Sequence, residues 1–351
     1  MVPEIPGYSN SLLEKMSLAI LAAMILAGDI GGTKVNLAYF DTDLRLHPEN
    51  MASYSSRDFA SLQEIAEKFL AERKAKVQYA CFGIAGPVKQ GRVSVTNLPW
   101  VIVGKDLTDR LGVKQTWLIN DLEANAQGIT GLKRTDFVTL NEGDEHAVGN
   151  TAVISAGTGL GEAGLFWDGN RHLPVASEGG HADFAPRTDI DIDLFLYLRN
   201  RFGHVEWESV LSGPGQYHIY EFLRDTKRGE EPPWLAAELR LDEPPRVITR
   251  AALDKKSDLC VQALDLFVTY YGMEAANLAL KVLATGGVYI GGGIAPKIVE
   301  KLQDGSFMRA FLGENRLKEL LQAMPVRVIM NDKTALIGAA RYAATQSGKM
   351  L

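Results

Sequence analysis

Two stretches of this chain follow one plan. "MILAGDIGGTKVNLAYFD", residues 24–41, and "TAVISAGTGLGEAGLFWDG", residues 151–169, each run apolar, turn on glycines and a threonine, and run apolar again. The β-branched and aromatic residues in the arms are strand formers, so each stretch predicts a strand, a glycine turn and a second strand. The repeat predicts an internal duplication, and 351 residues are enough for two domains with separate cores.

Between and after the repeats, strand and helix patterns alternate. Residues 58–76 place Phe59, Leu62, Ile65, Ala66, Phe69 and Leu70 at helical spacing, with Asp58 as candidate cap. "VQYACFGIAGPV" and "TWLIN" read as buried strands, the second ending at Asn120 and Asp121. Helices are expected at 191–203, 215–226 and 254–284, the last broken at Gly272, and "GGVYIGGGIAP" reads as a strand running out into glycines. "KRGEEPPWLAAELRLDEPPRVITR", with its charge and two proline pairs, reads as a surface excursion. "PVRVIM" is a strand, and "NDKTALIGAARYAATQ" a helix expected to return to the first domain. The alternation predicts an α/β fold with a largely parallel or mixed sheet, whose ligands bind beyond the carboxyl ends of the strands. Expected boundaries are an extension at 1–23, a small domain at 24–133 plus 332–351, and a large domain at 134–331.

Composition narrows the partners. With 46% apolar residues, 23% charged residues and a net charge of -6, the chain has no electrostatic pull toward nucleic acid or anionic lipid. Cys81 and Cys260 are the only cysteines, too few for a disulfide framework or a thiolate zinc site, and they fit a reducing cytoplasm. "MSLAILAAMILAG", residues 16–28, mimics a signal core, but cleavage there would truncate the strand that follows, and the segment is too short to span a bilayer.

At the first turn Gly31 and Gly32 let backbone approach a ligand, Thr33 adds a hydroxyl, and Asp29 can hold a hydrated magnesium ion. An ordinary glycine hairpin has the same pattern. The second turn supplies Gly157, Thr158, Gly159 and Gly161. Its GxGxxG string continues into "EAGLFWDG", a strand rather than a helix, so a dinucleotide site is excluded. Gly292 and Gly293 supply a third glycine turn able to lie against a nucleoside.

"DIGGTK", "NDLEA", "SAGTGLG", "SEGGHADFAP", "LSGPG" and "GGVYIGGGI", in that order, resemble the bacterial glucokinases of the hexokinase, heat-shock-protein-70 and actin superfamily, across residues 24–345. The resemblance implies a duplicated actin-like, ribonuclease H-like fold, with two lobes closing over ATP and sugar. It implies a nucleotide held by Asp29, Gly31, Gly32, Thr33, Lys34 and the later glycine turns, with phosphoryl transfer to a glucose hydroxyl. Asp121 matches the family's catalytic base, Asn120 a sugar ligand, and Glu178, His181 and Glu208 three more. Helix capping remains open for Asn120 and Asp121, and a structural role for His181. Directly after His181 the chain reads "ADFAPRTD", without the cysteine-rich zinc motif, which separates it from the repressor and open-reading-frame kinase branch. A homodimer is implied by the likeness alone. A kinase for fructose, mannose or an amino sugar, or a nucleotide-binding sensor without transfer activity, are the competing readings.

Overall fold

The computed structural model describes residues 24–41, 44, 50–74, 76–95, 98–314 and 316–348. The expected extension at 1–23 lies outside the described residues. The chain separates into two compact units, one ending at Leu132 and resuming at Lys333, the other spanning Lys133–Asp332.

The first unit is built on β1 (Met24–Ile30), β2 (Lys34–Phe40), β3 (Met51–Ser55), β4 (Val77–Ile84), a small β5–β6 pair (Arg92–Ser94 and Val101–Val103) and β7 (Gln115–Asn120). Its main sheet has the order β3-β2-β1-β4-β7. The first three strands pair antiparallel, and β4 and β7 add in parallel. Alternation along the strands sends Leu26, Ile30, Val35, Leu37, Phe82 and Ile84 to one face, against helices α1 (Leu62–Arg73) and α2 (Gly104–Leu111). Ile25, Ala27, Ala38, Phe40 and Cys81 go to the other, against α3 (Asp121–Ile129) and the C-terminal helix. Helix α1 starts later than the spacing suggested: its cap is Ser61, whose Oγ accepts from the Glu64 amide at 3.3 Å, and Asp58 sits in a short turn before it.

The second unit contains β8 (Phe137–Asn141), β9 (Thr151–Ala156), β10 (Leu160–Trp167), β11 (His172–Ala176), β12 (Gly287–Gly291) and β13 (Val326–Ile329) in the order β11-β10-β9-β12-β13-β8. Again three strands pair antiparallel and two more extend the sheet in parallel, with β8 added at the far edge. The shared topology realises the duplication. Helices α4 (Asp189–Phe202), α5 (Gly213–Asp225), α6 (Pro233–Leu241), α7 (Pro244–Leu253), α8 (Asp258–Val282), α9 (Val299–Leu302), α10 (Ser306–Leu312) and α11 (Lys318–Ala323) complete the unit.

Two expectations are amended here for physical reasons. The proline-rich stretch at 227–250 lies mostly at the surface as expected, but it is helical rather than irregular: its proline pairs stand at the starts of α6 and α7, where a missing N–H costs nothing, and Leu235, Val247 and Ile248 anchor it to the core while Trp234 and Leu241 stay exposed. Helix α8 runs unbroken through Gly272, which is glycine because a Cβ there would meet the Phe307 carbonyl oxygen of α10.

The last helix, α12 (Thr334–Gln346), belongs to the first unit and packs on α3, β1 and β4. Gly128 and Gly338 let the two helix backbones touch: a Cβ on Gly338 would fall on the Ala124 carbonyl, and one on Gly128 on that of Thr334. Replacing Gly338 with alanine is therefore expected to cost about 1–3 kcal/mol through overpacking and to lower the melting temperature by several degrees, readable by differential scanning fluorimetry.

Candidate active site

In the first unit, Asp29 and Asp121 stand at the carboxyl ends of β1 and β7, with β4 between them. Burial pushes the Asp29 carboxyl up, against the opposing pull of Asn36, Lys34 and Lys333. Asn36 Nδ2 donates to Asp29 Oδ2 at 3.2 Å and its own Oδ1 accepts from Ser53 Oγ at 2.6 Å, so β2 and β3 orient the carboxylate. The Gly31 amide donates to the Lys34 carbonyl at 2.9 Å and closes the hairpin, so it is spent on the turn, and the tip falls to Gly32 and to exposed Thr33 and Lys34.

Asn120 caps α3: Oδ1 accepts from the Leu122 amide at 2.8 Å, and Nδ2 donates to the Gly86 carbonyl at 3.2 Å. The capping reading is realised, and it leaves the amide's second hydrogen for a ligand. Asp121 is the first residue of the helix, with Oδ1 accepting from the Leu122 amide at 3.0 Å. A carboxylate there is favoured by the helix dipole. Gly83, beside both carboxylates on β4, admits α3: its missing Cβ would lie 2.6 Å from Ala124 Cβ.

In the second unit, residues 182–184 lie antiparallel to 205–207. The Phe184 amide donates to the Val205 carbonyl at 3.0 Å and the Trp207 amide to Ala182 at 2.9 Å. This pairing sets His181 beside Glu206 and Glu208. Ligand atoms of the three lie within 4.8 Å of one another, and His181 Nδ1 is 3.1 Å from Glu206 Oε2. The Glu206 hydrogen bond raises the His181 pKa, and Glu208 and Glu178 add to it through their charge. Glu178 is exposed at the start of the same turn, its carbonyl accepting from the His181 amide at 3.1 Å.

Glu208 also reaches the second glycine turn. Its Oε2 accepts from the Leu160 amide at 2.8 Å and lies 2.6 Å from where a Gly159 Cβ would be. The Gly157 amide donates to the Gly159 carbonyl at 2.8 Å, while the Gly157 carbonyl takes the Gly213 amide at 2.8 Å, tying this turn to the start of α5. Thr158 is exposed at the tip and Gly161 is already in the ladder opposite Ser155. Gly292, with φ of +83°, turns the chain out of β12 against the Ala156 carbonyl, and Gly293 has open space around it.

Two residues escaped the sequence reading. Glu206 had only the weak signal of a second glutamate two positions before Glu208. Tyr271 had none, because its partners are far off in sequence: its hydroxyl accepts from the Ala156 amide at 3.1 Å and donates to the Gly291 carbonyl at 2.9 Å, pinning together the strand ends that carry both glycine turns.

A family model described as glucokinase matches residues 26–346. Among curated relatives, the glucokinase of Nostoc punctiforme is 41% identical over 337 residues, covering 92% of this chain and 99% of its own. Among solved structures, a glucokinase from an Antarctic psychrotroph has a TM-score of 0.78 at 31% identity, over 92% of this chain and 99% of that one. A ROK family glucokinase from Streptomyces griseus, in complex with glucose and AMPPNP, shares the fold at a TM-score of 0.64 and 20% identity, over 92% and 100% of the two chains.

Changing Glu206 to glutamine removes the negative charge that favours the imidazolium while keeping an acceptor oxygen. The His181 pKa is expected to fall toward its ordinary value, which an NMR titration of the histidine ring protons reads directly.

Proposed function

This chain belongs to the glucokinase family, and from that premise we propose how its residues divide the work of moving a phosphoryl group from ATP to glucose. The protein is an ATP-dependent glucose kinase of the actin-like two-lobe fold. Glu178, His181 and Glu208 hold sugar hydroxyls, with Asn120 a further ligand. A neutral polyol is recognised by fixed donors and acceptors, and analogues lacking a hydroxyl leave such groups unpaired. The observation that carries this reading is the convergence of His181, Glu206 and Glu208 on one small volume, with Glu178 on the adjoining turn.

Asp121 takes the proton of the attacking hydroxyl. Its support is the position at a strand end and helix start, which fixes a carboxylate without burying it in apolar surroundings. Phosphoryl transfer asks little covalent chemistry of the protein; alignment and neutralisation of oxygen charge lower most of the barrier. Gly32, Thr33 and Lys34, with the turns at Gly157–Gly161 and Gly292–Gly293, line the triphosphate and nucleoside. Gly31 shapes the hairpin that presents them.

Magnesium is part of this proposal. The residues fit it: Asp29 offers one oriented carboxylate, the single hard oxygen ligand that suits an ion keeping most of its own water. Bound there, the ion would neutralise phosphate charge.

We also propose cytoplasmic action in glycolysis as a homodimer, with the two contact units acting as the small and large domains. Among the described residues no helix is long and apolar enough to cross a membrane. Exposed Phe166 and Leu173, a cross-strand pair, and Val175 form an apolar strip on the edge hairpin that suits self-association.

Coupled ADP release with glucose, fructose, mannose, glucosamine or no sugar tests the assignment, and glucose is expected to give the highest kcat/KM. Asp121→Ala is expected to lower kcat at least ~100-fold while glucose binding stays measurable by calorimetry. Near-normal turnover of that variant would overturn the role of Asp121.

A further inference from the structure

Glu162, on β10, is 1% exposed, and Glu274, on α8, is fully buried. Neither has a part in the chemistry above. The two carboxyls are near enough for the charge of Glu274 to act on Glu162, and with both cut off from water the pair is held with one proton. Burial raises the Glu274 pKa too, but Glu274 is the better-held anion of the pair: its Oε2 accepts from Asn277 Nδ2 at 2.8 Å, and its Oε1 faces Lys281 Nζ at 3.4 Å. Glu162 has no such cation in contact, and its Oε1 is buried without a hydrogen-bond partner among the described residues.

The other oxygen of Glu162 lies under the turn that carries the proposed sugar ligands. A Cβ on Gly179 would collide with Glu162 Oε2, and Gly180 is held as closely against the Leu160 carbonyl of the same strand. The turn is thus seated on β10 at two adjacent glycines, with the Ser177 hydroxyl accepting from the Gly179 amide at 2.9 Å.

We propose that Glu162 is a positioning residue for glucose: its uncharged carboxyl, buried beside Glu274, is the seat on which the turn bearing Glu178 and His181 rests. The inference rests on the reading of that turn as sugar-binding. Ionisation would set two like charges against each other beneath the turn, and the strain is relieved by lifting the turn away and admitting water.

The charged groups around Glu162 are few. Helix α8 contributes Glu274 and Lys281, and the turn contributes Glu178 and His181, the latter committed to Glu206. Strand β9 carries no ionisable side chain, and the one on β11, His172, hydrogen-bonds through Nε2 to the Gly149 carbonyl. Burial first, and the charge of Glu274 second, push the Glu162 pKa up to about 8.

The folded chain therefore holds this proton where the unfolded chain, with an ordinary glutamate near 4.5, has lost it. Stability falls as pH rises from about 4.5 to about 8 and levels off above. Glu162→Gln, which keeps the donor and cannot ionise, is expected to flatten that part of the melting-temperature profile; an unchanged slope overturns the shared proton whatever the turn binds.

Glucose KM tests the coupling. At pH 9 about a tenth of Glu162 stays protonated, so the parent KM should rise about tenfold over its neutral value while kcat changes less. Glu162→Gln should keep the neutral KM and lose the rise, and Glu162→Ala should show a raised KM at every pH. A rise that persists in Glu162→Gln overturns the positioning role. Glu178→Gln, measured alongside, separates the two ideas: an unchanged glucose KM in that variant removes the sugar reading of the turn, and the melting profile still judges the buried pair.

Discussion

Parallel strand pairing is the constraint on which the rest of this molecule depends. In each unit three strands meander antiparallel and two more join in parallel, so the carboxyl ends of β1, β4 and β7, and those of β9, β12 and β13, finish on one edge of their sheet. Backbone groups run out of ladder partners there, and ligands take their place. Asp29, Asp121, the Gly157 turn and Gly292 all stand at such ends.

What makes those edges specific is a small set of side chains spent on holding backbone. Asn120 caps the helix that starts with Asp121, Asn36 steadies Asp29, Glu208 ties the Gly157 turn through the Leu160 amide, and Tyr271 locks β9 to β12. Each satisfies a backbone or carboxylate group that would otherwise be costly to bury, and each thereby fixes a residue or turn of the proposed site. Glycine complements them wherever two backbones must touch: Gly338 on Ala124, Gly272 on Phe307, Gly180 on Leu160.

The charge arrangement of the second unit follows one logic at two depths. At the surface, His181 meets Glu206, Glu208 and Glu178 in water, where proximity of acids favours the imidazolium. Beneath it, Glu162 is cut off from water beside Glu274, where burial favours its neutral acid instead. The same residue type is an ion in one layer and a neutral acid in the next, separated by the backbone of a single turn.

The sequence by itself determined the α/β alternation, both glycine hairpins, the duplication and the order of motifs, because strand alternation, helical spacing and glycine turns are local properties of the chain. It also pointed to Asp121, Glu178, His181 and Glu208 through motifs that a family resemblance makes readable. It misjudged the residues around Pro233 and Pro244, where prolines open helices, and Gly272, whose reason lies in α10, more than thirty positions away. Glu206 as the partner of His181, Tyr271 as a clasp and Glu162 as a buried acid were decided only by tertiary structure. Their meaning comes from neighbours brought close by folding, and burial and pairing are properties of a packed chain.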